Sequence, residues 1–138
     1  MFRSVLPRLI AGLLLVAVAA CHSNNTTTTP PTTNTTETFA GTLNPNGAAT
    51  YQFTATTAGT ITATLTSVTP DSTVTLGMSI GTWSGTSCSV GVGLALDNAV
   101  QGSVLTASVS LGGPLCLRVY DPGTLSAAAN YSIDVSHP

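Results

Sequence analysis

Charge is scarce in this chain of 138 residues, where charged side chains make up 6% of the total. An average globular protein carries about 25%. Lysine is absent, and the cations are Arg3, Arg8 and Arg118. With no basic stripe, the phosphate contacts that dominate nucleic-acid affinity are missing, so no nucleic-acid partner is expected. Histidine is confined to His22, in the tether beside Cys21, and His137, the penultimate residue, and neither reads as a general base for a nucleophile. The chain has no Cys-x-x-Cys pair to hold zinc. It also lacks a Gly-x-Ser-x-Gly nucleophile elbow. The longest apolar run, Leu9 to Ala20, is twelve residues, short of the ~20 that span a bilayer as a helix. Aromatics make up only 5%. What is abundant is threonine, at 25 residues, within a chain that is 43% hydrophobic. That much apolar content with so little charge argues against disorder along the whole length.

The first segment reads as an address. Arg3 and Arg8 precede the Leu9–Ala20 run, and small residues close it, the pattern of a secretory signal peptide over residues 1–20. Val18-Ala19-Ala20-Cys21 resembles the bacterial lipobox. That resemblance implies an acylated Cys21, cleavage before it, and anchoring by several acyl chains, which holds where a single chain does not. The alternative is ordinary secretory cleavage with an incidental thiol. His22, where the resembling sorting system would read Asp as an inner-membrane signal, points to the outer membrane. Removal of the signal leaves Arg118 against Glu37, Asp71, Asp97, Asp121 and Asp134, a formal charge of −4. Residues 21–38 are rich in Thr, Asn and Pro with no large apolar side chain, and read as a disordered, lipid-anchored linker.

Period two begins at Phe39. Tyr51, Phe53 and Ala55 alternate with polar residues, as do Ile61, Ala63 and Leu65, and Leu76, Met78 and Ile80. Leu105, Ala107 and Val109 do the same, and so do Tyr131, Ile133 and Val135. This is the pattern of strands wet on one face, where Thr suits the pleated surface. Turn residues such as Asn44-Pro45-Asn46-Gly47 and Asp121-Pro122-Gly123 separate the runs. Strands are expected near 38–43, 49–56, 60–68, 73–81, 87–96, 103–110, 114–120 and 129–136. The fold class is all-β: one antiparallel β-sandwich of about eight strands, jelly-roll or Ig-like, over residues 39–138.

Two cysteines remain beside Cys21, and in an oxidising compartment Cys88 and Cys116 form the one possible bridge, contributing about 3 kcal/mol. Two separate buried thiols are the alternative. Their parities conflict: Cys88 is in step with Val90, Val92, Leu94 and Leu96, which read as inward, whereas Cys116 is in step with Arg118. A bulge or an edge position would reconcile them. Asp134 is expected near Arg118 if residues 121–128 close a hairpin. Asp71, Asp97 and Asn98 are candidate calcium ligands, since oxygen-rich loops suit that ion. Plain turns explain them equally, and no other cofactor is indicated. Trp83 is a candidate ligand-stacking side chain, or a cover over the end of the sandwich.

Phe39-Ala-Gly-Thr-Leu43, Ala49-Thr-Tyr-Gln-Phe-Thr54, Ala58-Gly-Thr-Ile-Thr-Ala-Thr-Leu65, Leu117-Arg-Val-Tyr-Asp121 and Asn130-Tyr-Ser-Ile-Asp-Val135 together resemble bacterial pre-peptidase C-terminal domains. The resemblance covers residues 38–138 and implies a β-sandwich of the kind attached to secreted hydrolases, some of which bind calcium or polymers. No peptidase is attached here, and the acidic ligand pattern is thin. The expectation is a non-catalytic envelope module, anchored in the membrane through its N-terminal lipid. An envelope glycan or a separately encoded secreted hydrolase would be its partner.

Overall fold

Threonine alternating with aliphatic residues, broken by Gly, Pro, Asn and Asp, produces eight strands in the computed structural model, which describes residues 33–138. They are β1 (Thr35–Leu43), β2 (Ala48–Ala55), β3 (Gly59–Thr69), β4 (Leu76–Trp83), β5 (Cys88–Ala99), β6 (Val104–Val109), β7 (Gly113–Tyr120) and β8 (Ala129–His137). Two four-stranded antiparallel sheets, ordered β1-β8-β3-β6 and β2-β7-β4-β5, pack as a sandwich. Each expected strand is present. The expected signal segment, Cys21 and the expected linker as far as residue 32 lie outside the described residues.

Only the β4–β5 connection stays within one sheet; every other connection crosses between them. Successive strands therefore run in opposite directions, and all turns fall at one of two ends. The proximal end, where the chain enters at Thr35, gathers the turns at 56–58, 84–87 and 110–112 together with Pro138. The distal end gathers those at 44–47, 70–75, 100–103 and 121–128.

The core is the inner face of each sheet. Ile61, Ala63, Leu65, Ile133 and Val135 face Leu76, Met78, Ile80, Leu117 and Val119, and all are essentially inaccessible to solvent. Burial of a large aliphatic side chain is worth about 1.5–3 kcal/mol, so these alternating positions drive the pairing of the sheets. Period two holds along β8, where Ala129, Tyr131, Ile133, Val135 and His137 all point inward. It breaks once in β3: a bulge at Thr66 shifts the register against β8 and turns Val68 inward after Leu65.

Three sequence expectations differ from the fold. Strand β1 takes in Thr35–Thr38, which composition had placed in the linker, because these residues pair with Asp134–His137 of β8. Val90 and Val92 do not face the core: Val92 is fully exposed, and only Leu94 and Leu96 pack against the interior. The cause is a second bulge. Ser79 pairs with Ala95 but Gly81 pairs with Val90, so residues 91–94 loop out of the ladder opposite Ile80 and reverse the facing of everything before them. Third, Asp134 does not approach Arg118, because the 121–128 connection crosses from one sheet to the other. Asp134 instead accepts a hydrogen bond from the Thr38 hydroxyl at 2.7 Å. The Arg118 guanidinium sits 5.2 Å over the Tyr120 ring.

Candidate functional site

At the proximal end the sequence-predicted residues Trp83, Cys88 and Cys116 come together. Strand β4 lies between β5 and β7, with Trp83 opposite Cys88 and Gly81 opposite both Val90 and Cys116. The start of β5 folds over the outer face of β4: the Ser89 carbonyl lies where a side chain at Gly81 would begin. Glycine is required there by this close approach. The fold-over brings the Cys88 and Cys116 Cα atoms to 5.8 Å, and the two are disulfide-bonded across β4. The bulge at 91–94 thus resolves the conflicting parity, since both cysteines lie on the outer face.

Trp83, half-buried, ends β4 beside this bridge. Next to it, the open side of the sandwich between edge strands β5 and β6 holds a cleft of about 300 Å³. Its lining is mostly apolar, from Ile80, Val90, Leu94, Val109 and Leu115. The cleft is continuous with the β6–β7 turn through Thr82, Ser108, Val109 and Leu115.

A second proximal feature was not legible in the sequence. His137 is 4% exposed, with Nε2 2.9 Å from Glu37 Oε1 and its ring 5.2 Å from that of Phe53. It clasps the start of β1 to the end of β8. The two residues are 100 positions apart, so no local pattern announces the pair.

The candidate calcium residues occupy the other end. Asp71 Oδ1 accepts bonds from the Thr73 hydroxyl at 2.7 Å and the Thr73 N–H at 2.9 Å. These hold its carboxyl below its usual range, the hydroxyl foremost. Asp97 accepts a hydrogen bond from the Tyr120 hydroxyl, and Asn98 follows it at a one-residue bulge opposite Gly77. Burial, with the bond to Asp97 next, pushes the Tyr120 phenol up to about 12. Gly77 is a glycine because the Tyr120 ring occupies the space a side chain would need. Asp121 caps its turn, accepting N–H bonds from Asn46, Gly123, Thr124 and Leu125, and its carboxyl is lowered chiefly by the bond from Asn46. Among the described residues no three His, Cys, Asp or Glu side chains are grouped to hold a metal ion.

Between these ends, Tyr51 and Tyr131 share a 2.7 Å hydroxyl contact, and burial raises the Tyr131 phenol well above its usual value, with the Tyr51 bond adding to it. Ser79 Oγ, on the outer face of β4 between Gly77 and Gly81, is buried and bonds to no protein group.

No protein-family model matches this chain, and no curated protein is significantly similar to it.

Proposed function

We propose that the chain is an exported bacterial lipoprotein, held at the outer membrane through Cys21, whose β-sandwich is a non-catalytic binding or structural module of the cell envelope. The observation that carries this reading is the Cys88–Cys116 disulfide. Such bridges persist in exported proteins and are rare in the cytosol, and a signal ending in Val18-Ala19-Ala20-Cys21 delivers a chain to that compartment. The pairing of β1 from Thr35 onward supports the same division, because it leaves a polar segment between Cys21 and the first strand. An eight-stranded sandwich over the matching residues also supports kinship with pre-peptidase C-terminal domains. On that kinship the partner is an envelope polymer or a secreted hydrolase encoded elsewhere.

Radiolabelled palmitate is expected to enter the wild-type protein and to be lost in Cys21→Ser. Label persisting in Cys21→Ser overturns the anchor. Retention on cell-wall polymer that falls in Trp83→Ala assigns the module to glycans. A hydrolase co-purifying with the native protein assigns it to the accessory role.

A further inference from the structure

The two most exposed large apolar side chains among the described residues are Val92 at 106% and Leu111 at 79%. Leu111 stands at the tip of the proximal β6–β7 turn, whereas Val92 stands on the β5 bulge opposite Ile80, about midway along the sheet. Val90, also exposed, stands opposite Gly81 nearer the proximal end and lines the cleft that continues to the Leu111 turn. The proximal turns read Thr56-Thr-Ala58, Ser84-Gly-Thr-Ser87 and Ser110-Leu-Gly112, without a charge. The ionisable side chains at that end, Glu37 and His137, are bonded to each other. Val100 and Val104, the remaining exposed apolar residues, are at the distal end, where Asp71 and Asp121 stand in the neighbouring turns.

We infer that the proximal end is a membrane-contacting surface, with Leu111 seated in the headgroup–acyl boundary of the bilayer that holds Cys21 and Val90 facing it from behind. This rests on the lipoprotein reading. The occupant follows from where the chain enters. Fourteen positions separate Cys21 from Thr35, a reach of at most about 50 Å when fully extended. They join the sandwich at the same end as Leu111. The two corners are three strand spacings apart across the first sheet, roughly 14 Å. An anchor this short holds the proximal end near the bilayer at high effective concentration. A few apolar side chains then orient the domain without having to bind it. Charge agrees: Asp71 and Asp121 are directed away from an anionic lipid surface that would repel them. A second copy adding a strand at β5 is a poorer occupant, because the bulge and fold-over interrupt the flat ladder that edge pairing needs.

The single Trp of the sequence, Trp83, lies at this end and serves as the probe. The full-length protein, purified from membranes, is reconstituted on phosphatidylethanolamine–phosphatidylglycerol vesicles carrying acyl-chain-brominated lipid. Palmitate label is followed in parallel. Incorporated label with Trp83 emission quenched by the brominated lipid is the expected result. Leu111→Asp should keep the label and lose the quenching; a two-proton mass loss for Cys88–Cys116 shows that the variant has folded. Label without quenching in the wild type overturns the membrane contact and leaves the anchor standing. Quenching relieved by added cell-wall polymer instead of by Leu111→Asp overturns it in favour of a glycan surface. No label overturns both.

Discussion

The two ends of the sandwich close by different chemistry. At the distal end the chain turns on its own polar side chains: Asp121 gathers backbone N–H groups from two turns, and Asp71 folds Thr73 back onto itself. At the proximal end the turns are small and uncharged, Ser84 and Ser87 bond to each other across one of them, and long-range ties are added, the Cys88–Cys116 bridge across β4 and the His137–Glu37 clasp between β1 and β8. Local Asx bonds stabilise a turn wherever it is placed. A staple and a clasp instead fix distant strands to one another, at the end where a tether would pull. On the proposed anchoring, the proximal end would carry the pull of the tether while the distal end has only to reverse the chain.

The largest expected effect comes from removing the staple. Cys88→Ala with Cys116→Ala should lower unfolding stability by about 3 kcal/mol, since the closed loop of the denatured chain is released; urea unfolding of variant and wild type measures it. Were the loss negligible, the proximal end would not depend on the bridge. Glu37→Ala should cost about 1–3 kcal/mol, because it leaves the buried His137 ring without its partner. Hydrogen exchange should then show β1 opening ahead of β8; unchanged protection in β1 would count against a clasp.

Ser79→Ala should raise stability by about 1 kcal/mol, as the buried hydroxyl has no protein partner whose loss would offset its removal. A thermal shift in the opposite direction would mean that the hydroxyl is satisfied. The smallest effect is expected at the distal end, where it depends on pH. The Asp121 carboxyl is held below its ordinary value in the folded protein, foremost by the Asn46 N–H. Its stabilisation is therefore complete above the unfolded pKa of about 3.9 and is lost as pH falls through the lower folded value. Asp121→Asn should flatten the decline in Tm below about pH 4 while lowering Tm slightly at neutral pH. An unchanged acid limb would remove Asp121 from the account.

Much of the fold is legible in the residues because one-sided burial imposes period two wherever a strand is regular. Ile61, Ala63 and Leu65, or Tyr131, Ile133 and Val135, carry their facing in the spacing alone. What was not legible arose from contacts between distant segments. Val90 and Val92 keep an unbroken alternation with Leu94, and only the mismatch of β5 against β4 turns them to solvent. Thr35–Thr38 have the composition of the linker and become strand by pairing along the edge of β8. The cysteine pairing was open to inference from compartment and count, whereas the glycine beneath it, Gly81, gains its meaning only from the fold-over of β5. Trp83 stood out as the single Trp, but its place beside the bridge and the cleft depends on the same fold-over.

The contrast between the ends is tested most directly by moving the tryptophan. In a Trp83→Phe background, Leu111→Trp places the probe at the proximal end and Ala127→Trp places it in an exposed distal turn. Both proteins, lipidated and bound to vesicles with brominated acyl chains, would be compared for quenching. Strong quenching at position 111 with none at 127 is the predicted result. Equal quenching at both positions, or quenching at 127 alone, would contradict it.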